Sequence, residues 1–159
     1  MSYVSKALGV AVLCVAGWQF ASAASPVISS TVDSPDAQVW REECGACHVA
    51  YPPRLLPSSS WTEIMRNLKD HFGTDASIET PLAQQIARYL EANASQKPRG
   101  VSPDDPLRIT RSRWFLHEHD EIPTATWRRP AIGSPSNCSA CHRQAEQGRF
   151  DEHSVQIPK

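Results

Sequence analysis

Long apolar runs, spare cysteine and net charge are all scarce in this chain of 159 residues, and each shortage excludes something. The one sustained apolar run, Ala7 to Phe20, follows a single lysine (Lys6) and closes on Ala21-Ser22-Ala23, a small-x-small cleavage pattern before Ala24-Ser25-Pro26. It reads as a secretory signal peptide, residues 1–24, cut after Ala23 or Ala24, and it is too short and too rich in Gly and Ala for a transmembrane anchor. Nothing downstream would span a membrane. Cys14 sits inside that run after Val12-Leu13, without the small residue that precedes a lipid-bearing cysteine, so it leaves with the leader. Four cysteines remain, all within two matching motifs, and none is left for a structural disulfide, although an exported compartment would permit one. Once Lys6 is gone, 15 basic residues face 17 acidic ones, which gives no electrostatic ground for nucleic acid or an anionic membrane surface as partner. Those two motifs aside, the sequence also lacks an internal repeat and any low-complexity run, and it has no nucleophile–base arrangement or glycine-rich phosphate loop.

What is present is Cys44-Gly45-Ala46-Cys47-His48, matched by Cys138-Ser139-Ala140-Cys141-His142. Cys-x-x-Cys-His is the attachment pattern of c-type haem: two thiols about one helical turn apart bond the macrocycle and the adjacent imidazole binds its iron. Cysteine and histidine scattered at random would give only about 0.006 copies in a chain of this composition. A zinc ribbon is excluded by spacing, because 90 residues separate Cys47 from Cys138 where such a site wants roughly 15 to 20. Thiol–disulfide exchange would need strand–helix–strand patterning around the cysteines, which is absent. With 13 prolines, the mature chain is expected to be loop-rich and to bury little by itself, so two covalently attached haems would serve as its missing core. Their four propionates would take the formal charge to about −6.

Local signals predict a mostly helical architecture. Ser34-Pro35-Asp36 starts a helix running to about Cys47. Tyr51-Pro52-Pro53-Arg54-Leu55-Leu56-Pro57 is a loop draped past the first haem. Ser60-Trp61-Thr62-Glu63 reads as a capping box that opens a helix to about His71, with Trp61, Ile64, Met65, Leu68 and Phe72 on its apolar stripe and Gly73 as its stop. Thr80-Pro81 starts a third helix to about Ala92 that buries Leu82, Ile86, Tyr89 and Leu90. The Pro- and Ser-containing stretch from Asn93 to Pro106 connects two lobes, residues 25–99 and 100–159. The second lobe has weaker periodicity: a short helical segment near Ser112 to Asp120, a Pro-bounded loop from Pro123 to Pro135, a helix from about Ser136 to Gln147 ended by Gly148, and an irregular tail.

His48 and His142 take one axial position on each iron, and the opposite ligand decides the chemistry. Candidates are Met65, His71, His117, His119 and His153. His71 is favoured at the first haem because an imidazole on an apolar helix stripe needs a partner there, whereas Met65 at helical spacing suits core filling. At the second haem His119 shares a face with Phe115 and Ile122, while His117 points nearly opposite and His153 lies among acidic tail residues, so His119 is preferred. Arg111, Arg113, Arg128 and Arg129 are candidate propionate partners by forked hydrogen bonds, and Trp114 and Trp127 are candidates to pack on a porphyrin face.

The first motif followed by Tyr51-Pro52-Pro53, Leu56-Pro57, Ser60-Trp61, Ile64-Met65, Leu68, His71-Phe72-Gly73 and Asp75-Ala76 resembles the bacterial dihaem cytochrome c (DHC) family. The distal half agrees through Trp114, His119, Glu121-Ile122, Pro130, Gly133-Ser134-Pro135, Asn137-Cys138 and Ala140-Cys141-His142. The resemblance implies an N-terminal lobe similar to class I cytochrome c, a C-terminal haem lobe with little regular structure, and two closely approaching bis-histidine haems. His71 and His119 match the positions where that family places its distal ligands. It also implies a periplasmic electron shuttle exchanging electrons with an oxygen-binding monohaem cytochrome c and a membrane cytochrome b; four imidazoles would leave neither iron a vacancy, so a monomeric carrier rather than an enzyme is expected. Against it stand two other readings, a haem enzyme or gas sensor with one open iron position, and an electron-input subunit of a membrane oxidoreductase.

Overall fold

Ser34, Pro35 and Asp36 open the first helix for the reasons their chemistry suggests. The structure, a computed structural model, describes residues 34–97 and 100–159; the expected signal peptide, its cleavage site and the polar lead-in lie outside the described residues. Helix α1 spans Pro35–Gly45, with Ser34 Oγ accepting the Ala37 N–H at 3.1 Å and Asp36 in the positive first turn. Helices α2 (Ser58–Arg66) and α3 (Thr80–Asn93) complete a three-helix cluster in which α3 packs against both others. Its core is Ala37 and Trp40 from α1, Leu56 from the loop, Trp61 and Ile64 from α2, and Ile86, Tyr89, Leu90 and Ala94 from α3 and its end. Leu56, Ile86 and Leu90 are fully buried, and each such side chain contributes about 1.5–3 kcal/mol relative to exposure. Gln85 donates to Asp36 Oδ1 and Thr62 to Glu91 Oε1, both at 2.7 Å, tying α3 to α1 and to α2.

Helix α2 differs from the expectation at both ends. It begins at Ser58, directly after Pro57, and Ser60 caps nothing; it is buried inside the helix and donates to the Pro106 carbonyl at 2.9 Å. The helix stops at Arg66 because Asn67 leaves helical geometry (φ −119°, ψ 37°), and a single 3-10 turn, Leu68–Asp70, follows. His71 therefore lies beyond the helix, not on its stripe, and Phe72 is exposed.

Past the connection, Gly100 adopts φ +62° and its carbonyl accepts the Arg113 N–H at 2.7 Å. A Cβ there would sit 2.8 Å from that of Arg113, so glycine is required on two counts. Helix α4 spans Arg113–Glu118, and a one-turn helix α5, Thr124–Trp127, forms inside the stretch expected to be loop. The helix expected over 136–147 is broken into two 3-10 turns, Cys138–Ala140 and Ala145–Gln147, the second closed by left-handed Gly148 (φ +70°). Ser136, Asn137, Ser139, Gln144, Glu146 and Gln147 give that segment no apolar stripe to bury, so helix propagation gains little from packing. Hydrogen bonds from elsewhere take over: the tail runs alongside, Gln156 N–H donating to the Cys141 carbonyl at 3.0 Å and Val155 pairing with His142. Among the described residues no strand forms, and the architecture is mostly helical and loop-rich. No described helix is long and apolar enough to cross a membrane.

Candidate haem sites

Each Cys-x-x-Cys-His motif is carried by the end of a helical turn. Cys44 lies in the last turn of α1, and Cys47 and His48 follow once the helix has ended at Gly45. His48 Nδ1 lies 2.7 Å from the Val49 carbonyl, which can only accept, so this nitrogen carries the proton and Nε2 keeps its lone pair. His71 faces it from a tight turn closed by His71 N–H to the Thr74 carbonyl at 2.8 Å and Thr74 N–H to the His71 carbonyl at 3.2 Å. That turn requires positive φ at Phe72 (+54°) and Gly73 (+93°), and Asp70 Oδ1 accepts the Gly73 N–H at 3.1 Å. A phenylalanine at positive φ is held only where its surroundings over-determine it. Here its ring meets the His71 ring edge-on at 4.9 Å, with the Arg108 guanidinium 4.4 Å above it.

The second site is built differently. His142 N–H bonds the Cys138 carbonyl at 2.8 Å, the tail pairs with its backbone, and the Phe150 ring abuts it at 5.4 Å. Its Nδ1 is buried without a hydrogen-bond partner among the described residues. Such a nitrogen is costly, and a metal is one of the partners that satisfy an imidazole. His119 caps the C-terminus of α4, stacks on Phe115 at 4.1 Å, lies 5.8 Å from Trp127, and has Nδ1 at 2.8 Å from the Phe115 carbonyl.

The structure brings His48 to His71, with ring centroids 6.2 Å apart and planes 19° from parallel, and His119 to His142 at 6.1 Å and 79°. Two imidazoles bound on opposite sides of one metal ion at about 2 Å per bond would have centroids about 6.3 Å apart. Burial first, and then the facing imidazole, push His71 and His142 below the usual histidine range, which favours the neutral ring that can ligate. His117 is not brought to a partner imidazole: it is exposed and lies 3.9 Å from Asp120. His153 is exposed on a tail turn, and Met65 packs against the three-helix core.

Two clefts adjoin these pairs. One of about 800 Å³ is lined by Cys47, His48 and Tyr51 from one half and by Cys138, Ser139 and Glu146 from the other. The other, about 370 Å³, is lined by Arg111, Phe115, Leu116, His119 and Trp127. Of the candidate propionate partners, Arg111 reaches a cleft, whereas Arg129 donates to the Pro158 carbonyl at 2.6 Å and clasps the tail. Arg41, which sequence reasoning missed, lines the larger cleft. Tyr51, read from sequence as part of a loop and of the Tyr51-Pro52-Pro53 element but given no contact, stacks on His48 at 4.7 Å and donates its hydroxyl to the Ser136 carbonyl at 2.7 Å. Burial above all pushes that phenol up to about 12, so it remains a donor at any physiological pH. Phe150 and the tail were likewise missed, because nothing local in sequence marks a contact that closes only on folding.

Among the described residues the four cysteines form no disulfide, and before haem attachment burial pushes the Cys44 and Cys138 thiols up to about 11 and Cys141 upward as well. Thiols protonated at neutral pH are poor exchange nucleophiles, the opposite of a dithiol oxidoreductase. No group of three or more His, Cys, Asp or Glu among the described residues converges on a bare metal ion. A haem iron asks less of the protein, since the porphyrin supplies four nitrogens and only two axial ligands remain, and the residues at both positions fit that group.

The family model for dihaem cytochrome c matches residues 40–150. The chain is similar to the crystal structure of the dihaem cytochrome c from Shewanella baltica OS155, at 41% identity and a TM-score of 0.70, over 79% of this chain and 95% of that one. It is similar also to the dihaem cytochrome c of Rhodobacter sphaeroides, at 45% identity and a TM-score of 0.62, over 71% of this chain and 96% of that one. No curated protein matches it.

Proposed function

Because the chain belongs to the dihaem cytochrome c family and so binds two covalently attached c-type haems, we propose that it carries single electrons with each iron held between two histidines. His48 and His71 would ligate the first, His142 and His119 the second. Cys44 with Cys47, and Cys138 with Cys141, would form the thioether links. When bound, each haem supplies a one-electron ferric–ferrous couple. The observation that carries this reading is the pair of imidazole separations, 6.2 and 6.1 Å.

The protein's own contribution is positional. The Val49 and Phe115 carbonyls can hold the Nδ1 protons of His48 and His119, which would fix each ring and leave its other nitrogen free to ligate. Phe115 and Trp127 form an apolar wall beside His119, and Arg111 at the same cleft is placed to meet a propionate. If these four imidazoles fill both axial positions, neither iron would have a vacancy for substrate, which favours a carrier over an enzyme or gas sensor. The leader-like residues 1–24 support export to the periplasm, and the motif placement supports two haem lobes dividing near residue 100. An oxygen-binding monohaem cytochrome and a membrane cytochrome b are the proposed redox partners, by kinship with the family, and a monomer suffices for the role.

Spectroelectrochemical titration tests this reading. The protein should take up two electrons reversibly while remaining low-spin throughout. His71→Ala and His119→Ala should each convert one haem alone to a high-spin form. If neither does, the axial assignments are wrong.

A further inference from the structure

The loop Tyr51-Pro52-Pro53-Arg54 touches both haem motifs, although it belongs to neither. It is fixed from beneath. The Trp61 indole donates to the Pro53 carbonyl at 2.7 Å in the core, Leu55 N–H closes a turn onto the Pro52 carbonyl at 3.0 Å, and Leu56 is buried next door. Two consecutive prolines restrict φ, so little freedom remains between the core and the side chains that the loop projects. One of these is Tyr51, which stacks on His48 of the first motif and donates to the carbonyl of Ser136, two positions ahead of Cys138. The other is Arg54, whose Nη2 donates at 3.1 Å to the carbonyl of Gly148, six positions beyond His142. The second motif is thus pinned on both flanks by one short loop anchored in the first half. Cys47 and Cys138 line one cleft together with Tyr51 and Ser136.

We propose that Tyr51 and Arg54 are positioning residues that clamp the two haem motifs at a fixed separation and so set the electronic coupling between the two irons. The inference rests on the electron-carrier reading. The step it governs moves one electron: the donor site is oxidised as the acceptor site is reduced, with no bond made or broken and no proton transferred. A loosened clamp leaves each haem intact in its own half and widens the range of distances the electron must cross.

The test uses the holoprotein with Tyr51→Phe, Arg54→Ala, Arg54→Lys and the double variant Tyr51→Phe/Arg54→Ala. Tyr51→Phe keeps the ring on His48 and deletes only the bond to Ser136, and Arg54 is exposed, so its variants fold even if Tyr51→Phe does not. Two quantities are read: the magnetic dipolar coupling between the ferric irons, and the rate of electron equilibration after flash reduction of one haem. Each deleted bond should lower the ratio of clamped to open molecules about fivefold. The double variant should therefore show a broadened coupling and a slower, multiphasic equilibration, with both low-spin spectra unchanged. Arg54→Lys should recover part of the effect. Wild-type coupling and rate in the double variant, or in Arg54→Ala and Arg54→Lys alike should Tyr51→Phe not fold, would overturn the proposal. Dipolar coupling reports the clamp whatever the axial ligands are, whereas absence of electron exchange between the haems in the wild type would refute the carrier reading itself.

Discussion

Ser112 offers the sharpest handle on His119. Its hydroxyl, almost wholly buried, accepts the Phe115 N–H at 3.1 Å and so caps α4, a helix of only six residues with His119 at its other end. A helix this short is not stable alone, so it opens as a unit and takes the imidazole with it. Ser112→Ala removes the cap at about 1 kcal/mol, rising to about 2 kcal/mol because the Phe115 N–H is left buried without a partner. At 25 °C this multiplies the population of the opened helix by about 5 to 30. Capture of carbon monoxide by the reduced protein would read that population, since, with His119 as the proposed ligand, the gas should bind only while His119 is away from iron. Stopped-flow mixing should show capture accelerated about 5- to 30-fold at one haem, with the other unchanged, and Ser112→Thr should behave nearly as wild type. No acceleration, or equal acceleration at both haems, would refute the link from Ser112 through α4 to the second iron.

Other perturbations act elsewhere. Trp61→Phe removes the indole donor and leaves the Pro53 carbonyl only the 3.4 Å bond from Leu56 N–H, and should lower unfolding stability by about 0.5–1.5 kcal/mol in guanidinium titration; no measurable loss would mean that water replaces the indole. Ile86→Ala empties a fully buried site in α3 and should cost about 2–5 kcal/mol, read as a lower denaturant midpoint at unchanged slope. His71 and His142 are held below the usual histidine range, so their neutral forms are favoured by the fold. Their stability contribution is complete above the unfolded value of about 6.5 and is lost as pH falls below it through the lower folded values. An acid titration should therefore show conversion from low to high spin entirely below about pH 6.5, and a transition at or above that pH would contradict the assignment.

The start of α1, the run of α3 and the two attachment motifs were legible in sequence because their determinants are local: a capping serine, a proline at a first turn, a repeated spacing of thiols and imidazole. His71 shows where that logic stops. The apolar spacing from Trp61 to Phe72 suggests one continuous helix, yet Asn67 breaks it and a strained turn aims the imidazole at His48 instead of a stripe. The segment after Pro135 fails for the opposite reason. Gly148 marks its end, but a run of small polar residues cannot hold a helix when the tail competes for its backbone. Tyr51 to Ser136 and Arg54 to Gly148 join residues 85 and 94 positions apart, and no periodicity announces such contacts. Polarity misled as well: Ser60 looked like a cap and is a buried donor to Pro106.

The most direct test of two closed, bis-histidine irons is the absorption spectrum of the dithionite-reduced wild-type protein before and promptly after saturation with carbon monoxide. With His48, His71, His119 and His142 as the proposed ligands no vacancy would remain, so the spectrum should be unchanged on mixing and drift only as fast as α4 or the His71 turn opens. Prompt, stoichiometric binding at either haem would contradict it.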